Sequence, residues 1–142
     1  MKKVILLVAT ILIVSCAVSI PLINNLTAKK VEKQLLAVSL PEHTTMIESV
    51  SATGKLVGSG NGMQYFGAML IKSELTLDEL SAYYAQNMAN VVVKEQQTQK
   101  IECVEHQALS FDTTLTGEDH HYIVYLFGDS ISPLFDLDIR GH

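Results

Sequence analysis

Cysteine is scarce in this chain, and its two cysteines cannot pair inside a folded domain. Cys16 lies within an apolar N-terminal run, which leaves Cys103 alone. An internal disulfide framework is therefore excluded, and no CxxC serves metal or redox chemistry. Basic residues are also in short supply. Ten Lys and Arg face 15 Asp and Glu, for a net charge of −5. Without Lys2, Lys3 and the apolar run, the balance is 8 basic against 15 acidic residues, or −7. An acidic body repels nucleic-acid phosphates, so no nucleic-acid partner is expected. The 142 residues suffice for one domain and little more.

Charge is absent altogether from Val4 to Ile23, VILLVATILIVSCAVSIPLI, a run of 20 residues. About 20 apolar residues at ~1.5 Å each cross a ~30 Å hydrocarbon core. A helix there satisfies its own backbone groups, which lipid cannot do. Residues 1–25 are therefore expected to be a transmembrane anchor or signal segment, with the lipid bilayer as partner through Val4 to Ile23. An alternative rests on Ile13-Val14-Ser15-Cys16, which fits a lipobox; cleavage before Cys16 would leave a lipoprotein anchored through Cys16 and acting as a carrier or binding protein. Against it, the apolar run continues past Cys16, and a mature lipoprotein turns polar soon after its cysteine. A cleaved, soluble secreted form is the remaining option. Lys2 and Lys3 resemble the start of an export signal. Lys29, Lys30 and Lys33 nearly balance them across the run, so the positive-inside rule is close to neutral. The domain is expected outside the cytoplasm, on a single-pass cell-membrane protein.

Val31, Leu35 and Val38 recur at helical spacing, which predicts a helical stalk over 26–40, ended at Leu40-Pro41. The globular domain is expected over 41–142. Alternation over Thr44 to Val57 predicts one or two strands. MQYFGAMLIKS, Met63 to Ser73, is apolar on both faces and suits a central strand. Between them, GKLVGSGNGMQYFG holds five glycines. No GK[ST] is present, GxGxxG fails by one place, and a strand follows where a phosphate loop needs a helix. Ser59-Gly60-Asn61-Gly62 instead predicts a hairpin corner. Leu75-Thr76-Leu77-Asp78-Glu79-Leu80 predicts a helix start, with Thr76 and Glu79 as a capping box and Leu75 and Leu80 as the staple. Strands are predicted at Val91 to Glu95, over Ile101 to Val104 and Gln107 to Leu115 as one long strand or two, and at Tyr122 to Phe127, with Leu134 to Arg140 as an added edge strand. Turns are expected at Thr116 to Asp119 and Gly128 to Ser130. The fold class is α+β: an N-terminal transmembrane helix, then a mostly antiparallel β-β-α-β-β-β sheet with one packed helix in two layers.

No catalytic constellation emerges. The histidines His43, His106, His120, His121 and His142 form no ligand spacing, and neighbours 120 and 121 point to opposite faces of a strand. No metal and no cofactor is expected. Cys103 reads as a buried thiol in a strand. There is no GxSxG elbow. Asp136-Leu137-Asp138-Ile139-Arg140 reads as an edge strand kept soluble by charge. A sharper alternative makes it a charged cluster that meets a ligand. The candidate ligand-binding residues are Asn61 and Gln64 at the corner, and Asp138 and Arg140 at the C-terminus. A small envelope hydrolase would need Asp136, Asp138, Arg140 and a histidine to converge in space. The favoured expectation is non-enzymatic binding or assembly at the envelope, with a protein or envelope partner at the sheet edge or the Gly58–Gly62 corner.

GKLVGSGNGMQYFGAMLIKS, LTLDELSAYY, YIVYLFG and the terminal DIRGH resemble a group of small bacterial single-pass membrane-anchored proteins of uncharacterised activity. The resemblance covers nearly all of Leu40 to His142. It implies one N-terminal membrane segment. It favours an anchor over a lipoprotein, because similar chains lack a cysteine at the position of Cys16. It implies no ligand, cofactor or catalytic residue.

Overall fold

The computed structural model describes residues 2–117, 119–128 and 132–142. The chain opens with α1, Lys2–Leu36, one uninterrupted helix of 35 residues. It is long and apolar enough to cross a membrane. Pro21 lies inside it without ending it. Proline removes one backbone bond from a helix interior but need not stop it where other groups serve the freed carbonyls.

The two ends of α1 live in different surroundings. Every residue from Lys2 to Val18 is exposed. From Asn24 onward one stripe turns inward, and Asn24, Thr27, Ala28, Val31, Glu32 and Leu35 are buried. That stripe has the width expected of a helix docked on a core. The segment predicted as a stalk is therefore part of the domain body. Val31 and Leu35 do recur at helical spacing, but periodicity identifies a buried face without saying what buries it.

Beyond α1 come β1 (Thr44–Gly54), β2 (Gln64–Ser73), α2 (Leu77–Asn87), β3 (Val92–Glu95) and β4 (His121–Phe127). The strands form one antiparallel sheet in the order β1-β2-β4-β3. The α+β class expected from the sequence is the class observed. β2 and β4 occupy the centre, as their apolarity on both faces requires. In β1 the register shifts between Met46 and Glu48, a bulge that interrupts the alternation. α2 begins with the complete capping box: Glu79 N donates to Thr76 Oγ1 at 3.3 Å, and Thr76 N donates to Glu79 Oε2 at 2.8 Å. Tyr84 is buried on its inner face, where burial pushes the phenol up to about 12.

Both faces of the sheet are covered. On one, Tyr65, Met69, Ile71, Val124 and Leu126 pack with Ala28, Val31 and Leu35 of α1 and with Leu80 and Tyr84 of α2. On the other, Phe66, Ala68, Leu70, Ile123 and Tyr125 pack with Leu56, Ile101, Val104 and Phe111. Two helices, not one, cover the first face, and a third layer lies on the second. That layer is irregular. The strands predicted at 101–104 and 107–115 reduce to an isolated bridge between Lys100 and Ser110. Their apolar residues serve to cap the sheet, not to extend it. Cys103 is accordingly half-buried in this layer, where burial pushes its thiol up. The Glu48 carboxylate ties the layer to β1 by accepting bonds from Asp112 N, Thr113 N and Thr113 Oγ1 at 2.9–3.1 Å. The predicted strand over 134–140 is also absent; two 3-10 turns, Phe135–Leu137 and Ile139–Gly141, take its place. In the predicted turns at 116–119 and 128–130, Glu118, Asp129 and Ser130 lie outside the described residues.

α1 sits flush on β2 because residue 67 is glycine. A Cβ there would stand 2.7 Å from both N and Cα of Glu32. Neither backbone can yield without lifting the helix. Gly67→Ala should therefore cost about 1–3 kcal/mol of stability, as overpacked sites do. Gly60→Ala, whose added carbon meets nothing within 4 Å, should stay within about 0.5 kcal/mol of the parent. Denaturant unfolding of the detergent-solubilised protein compares the two. Equal midpoints for all three proteins would contradict the close approach.

Candidate functional site

The glycine-rich segment is the corner between β1 and β2, as its turn residues predict. The connection is a loop of nine residues, 55–63, and not a tight four-residue turn. Positive φ falls at Gly54, Gly58 and Gly62, while Asn61 does not adopt it. A phosphate cradle needs successive backbone N–H groups aimed at the ligand. Here five of the donors, those of Lys55, Leu56, Val57, Gly58 and Gly62, are engaged within the protein. Leu56 N and Val57 N both donate to Gln64 Oε1 at 2.8 Å. Gly58 N donates to Glu105 Oε2 at 3.0 Å. Lys55 N donates to Arg140 O at 2.7 Å, and Gly62 N to Gly141 O at 2.6 Å. Gln64 thus braces the loop from inside, and Asn61 stands exposed at its tip.

The two C-terminal candidates do come together. Arg140 Nε donates to Asp138 Oδ1 at 2.9 Å, and Nη2 to Oδ2 at 2.6 Å. Asp138 also accepts from the backbone N of Arg140 at 3.1 Å, capping the second 3-10 turn. The pair reaches across 114 residues to α1, where Asn24 Nδ2 donates to Asp138 Oδ2 at 2.8 Å. Arg140 Nη1 donates to Asn25 Oδ1 at 2.8 Å, and Nη2 to Pro21 O at 3.2 Å. Behind them, the Tyr65 hydroxyl donates to Asn24 Oδ1 at 2.8 Å, and burial raises its phenol above the usual value. The result is a clamp that fastens the C-terminus to one turn of α1.

Sequence reasoning named Asp138 and Arg140 but missed Asn24, Asn25 and Tyr65. The available signal was the amide pair Asn24-Asn25, placed directly after the apolar run. The predicted edge strand is replaced by 3-10 turns. A strand would also set residues 138 and 140 on one face, but the turn lets Asp138 Oδ1 accept from the backbone N of Arg140 while Lys55 N and Gly62 N donate to the carbonyls of Arg140 and Gly141.

The clamp does not gather the residues that a hydrolase would need. The Asp138 side chain is only 3% exposed, and both its oxygens are occupied. Asp136 is exposed, and only its backbone carbonyl meets His142, at 3.4 Å. His106 meets Gly58 O in the corner, and His43 lies 3.7 Å from Glu74 at the far end of the sheet. His121 is buried in β4 while its neighbour His120 is exposed. Among the described residues no three His, Cys, Asp or Glu side chains are grouped to hold a metal ion. A second charged cluster, outside the clamp, joins α1 to β1. Glu32 accepts from Lys29 Nζ and Ser49 Oγ, both at 2.7 Å. Burial pushes the Glu32 carboxyl up, but Lys29, Ser49 and Ser51 outweigh it and leave it below its ordinary value.

No family model, curated protein or solved structure matches the chain.

The Arg140 guanidinium holds the Asp138 carboxyl well below the usual carboxylate range; burial opposes this, and Asn24 adds to it. A carboxyl depressed in the folded state contributes stability above its unfolded value of about 3.9. That contribution drains away as pH falls below this value toward the folded one. Asp138→Asn should therefore destabilise the protein at neutral pH and flatten its stability profile below about pH 4. The loss should fall short of the ~3–5 kcal/mol typical of breaking a fully buried pair, because the Arg140 side chain is 35% exposed. Unfolding measured across pH for both proteins tests this, and parallel profiles would refute it.

Proposed function

We propose that this protein is a membrane-anchored binding module that presents a small α+β domain on the extracytoplasmic face of the bacterial cell membrane. One observation carries the reading: α1 is a single helix whose first half is apolar and exposed and whose second half is domain core. A helix shared in this way is a rigid mount, not a flexible leash. It holds the domain at a set height and angle to the bilayer. On this reading the anchor is retained; the unbroken run of the helix through Cys16 into the core supports it over cleavage before Cys16. The N-terminus is read as cytoplasmic because Lys2 and Lys3 resemble the start of an export signal, the positive-inside rule itself being close to neutral across the span. The resemblance to small bacterial single-pass proteins agrees with this.

The partner is an envelope protein that adds an extended segment to the outer edge of β1. β1 ends the sheet, and among the described residues no strand pairs with its outer side. Met46 and Ile47 on it are exposed apolar residues outside α1. An open edge with apolar side chains is what strand addition uses. The Asp138–Arg140 clamp has a structural part in this arrangement, since it holds the domain to its mount.

Three measurements test the reading. The mature protein should retain residues before Cys16 by intact mass, and the domain should be degraded by protease added to spheroplasts. A photo-crosslinking residue at Thr45 should give a discrete adduct with an envelope protein, which Met46→Lys abolishes because an edge lysine blocks strand pairing. A protected domain would reverse the orientation. Absence of any adduct from Thr45 and Ile47 would remove the edge as the binding surface.

A further inference from the structure

The C-terminal turn carries an unexplained feature. Leu137 is 63% exposed and Ile139 is 86% exposed. Both alternate with Asp138 and Arg140, which point the other way, into the clamp. Leu137 and Ile139 lie beside Ala17, Ile20 and Pro21 and line a shared groove with them. The exposed apolar surface of the turn is thus continuous with the exposed apolar surface of α1.

We infer that Leu137 and Ile139 enter the interfacial layer of the same bilayer that α1 crosses, making the C-terminal turn a second membrane contact. The inference rests on the reading of Val4–Ile23 as the membrane span. Depth follows from helix geometry. At ~1.5 Å per residue, Pro21 lies ~26 Å along the helix from Val4, inside a ~30 Å hydrocarbon core. Arg140 donates to the carbonyl of Pro21, and the apolar groove reaches one turn deeper, to Ala17. A domain fastened at that level places the turn at or below the lipid headgroups.

Most backbone N–H groups of the turn are satisfied within the protein, which suits an interfacial position. Buried or lipid-facing backbone groups must find partners within the protein. Leu137 N, Asp138 N, Gly141 N and His142 N each donate to a carbonyl three residues back, at 3.1–3.4 Å. Arg140 N is held by Asp138 Oδ1. The carbonyls of Arg140 and Gly141 are taken by Lys55 N and Gly62 N. The one cation in the turn, Arg140, is neutralised by Asp138. Outward the turn presents the aliphatic side chains of Leu137 and Ile139, with the exposed Asp136 and His142 at its two ends, where an interfacial position leaves them in the headgroup region.

Because the chain has no tryptophan, a single introduced one reports its own surroundings. Full-length Ile139→Trp, Leu12→Trp and Glu74→Trp would each be reconstituted into phosphatidylcholine vesicles with brominated acyl chains. Leu12 tests the span, and Glu74, at the far end of the sheet, is the aqueous control. Ile139→Trp should show blue-shifted emission and lose roughly half of it to bromine, as interfacial tryptophans do, while Glu74→Trp loses none. Quenching at Leu12 without quenching at Ile139 overturns the second contact and leaves the span intact. No quenching at either position overturns both. Tryptophan itself favours interfaces, so a second probe lacks that preference. In a Cys16→Ser, Cys103→Ser background, Ile139→Cys should react roughly tenfold more slowly than Glu74→Cys with a water-soluble maleimide in vesicles. Equal rates would overturn the inference.

Discussion

The seat of α1 on β2 is the contact on which the rest of the structure depends. It brings the helix backbone onto the sheet at Gly67, where a side chain would collide with Glu32. Gly128, just past the end of β4, leaves room in the same way for the Val31 side chain, whose Cγ2 an added Cβ would meet. Two missing side chains let Val31 and Leu35 reach the first core cluster beside Tyr65 and Met69. Without that approach, one face of β2 and β4 would lie open. α2 alone, at 11 residues, is too short to cover a four-stranded sheet.

From that seat the polar contacts along α1 follow in order. Glu32 ties the helix to β1 through Ser49, and the amides of Asn24 and Asn25 take the C-terminal clamp. Each buried charge has its partner close by: Lys29 for Glu32 and Arg140 for Asp138. Such pairs contribute modest net stability, but removing one partner strands the other. Their effect here is geometric, since they set the rotation and height of the helix against the sheet. On the proposed reading, that same rotation sets how the domain stands on the bilayer. The corner loop and the C-terminal turn then face the membrane together, since Gly62 and Lys55 bond directly to the turn. The cleft around His43, Lys72, Glu74 and Asp119 faces away.

The elements legible in the sequence are those whose signal is local. The 20-residue uncharged run announces a long apolar helix. Thr76 and Glu79 stand three apart and cap α2 as their chemistry requires. The two-sided apolarity of Met63–Ser73 and Tyr122–Phe127 gives the central strands, and the glycines give the corner between β1 and β2. Of the candidate site, Asp138 and Arg140 were recognisable as an odd charged pair, though as one edge of a strand. The segment 101–115 misleads for a physical reason. Ile101, Val104 and Phe111 are spaced loosely enough to pass for strands, yet they are apolar because they cap a sheet face.

Sequence by itself determined the composition of the parts: an acidic body, an apolar leading helix, two central strands, a capped helix, and no cysteine pair within the domain. These are properties of neighbouring residues, fixed by side-chain chemistry and the periods of helix and strand. Tertiary structure alone decided that the leading helix is also core, that irregular chain covers the second sheet face, and that the C-terminus folds back onto Pro21–Asn25. Each of those outcomes joins residues far apart in the chain, such as Asn24 and Asp138. Whether such groups meet depends on the shape left over once the sheet has formed, which no local pattern encodes.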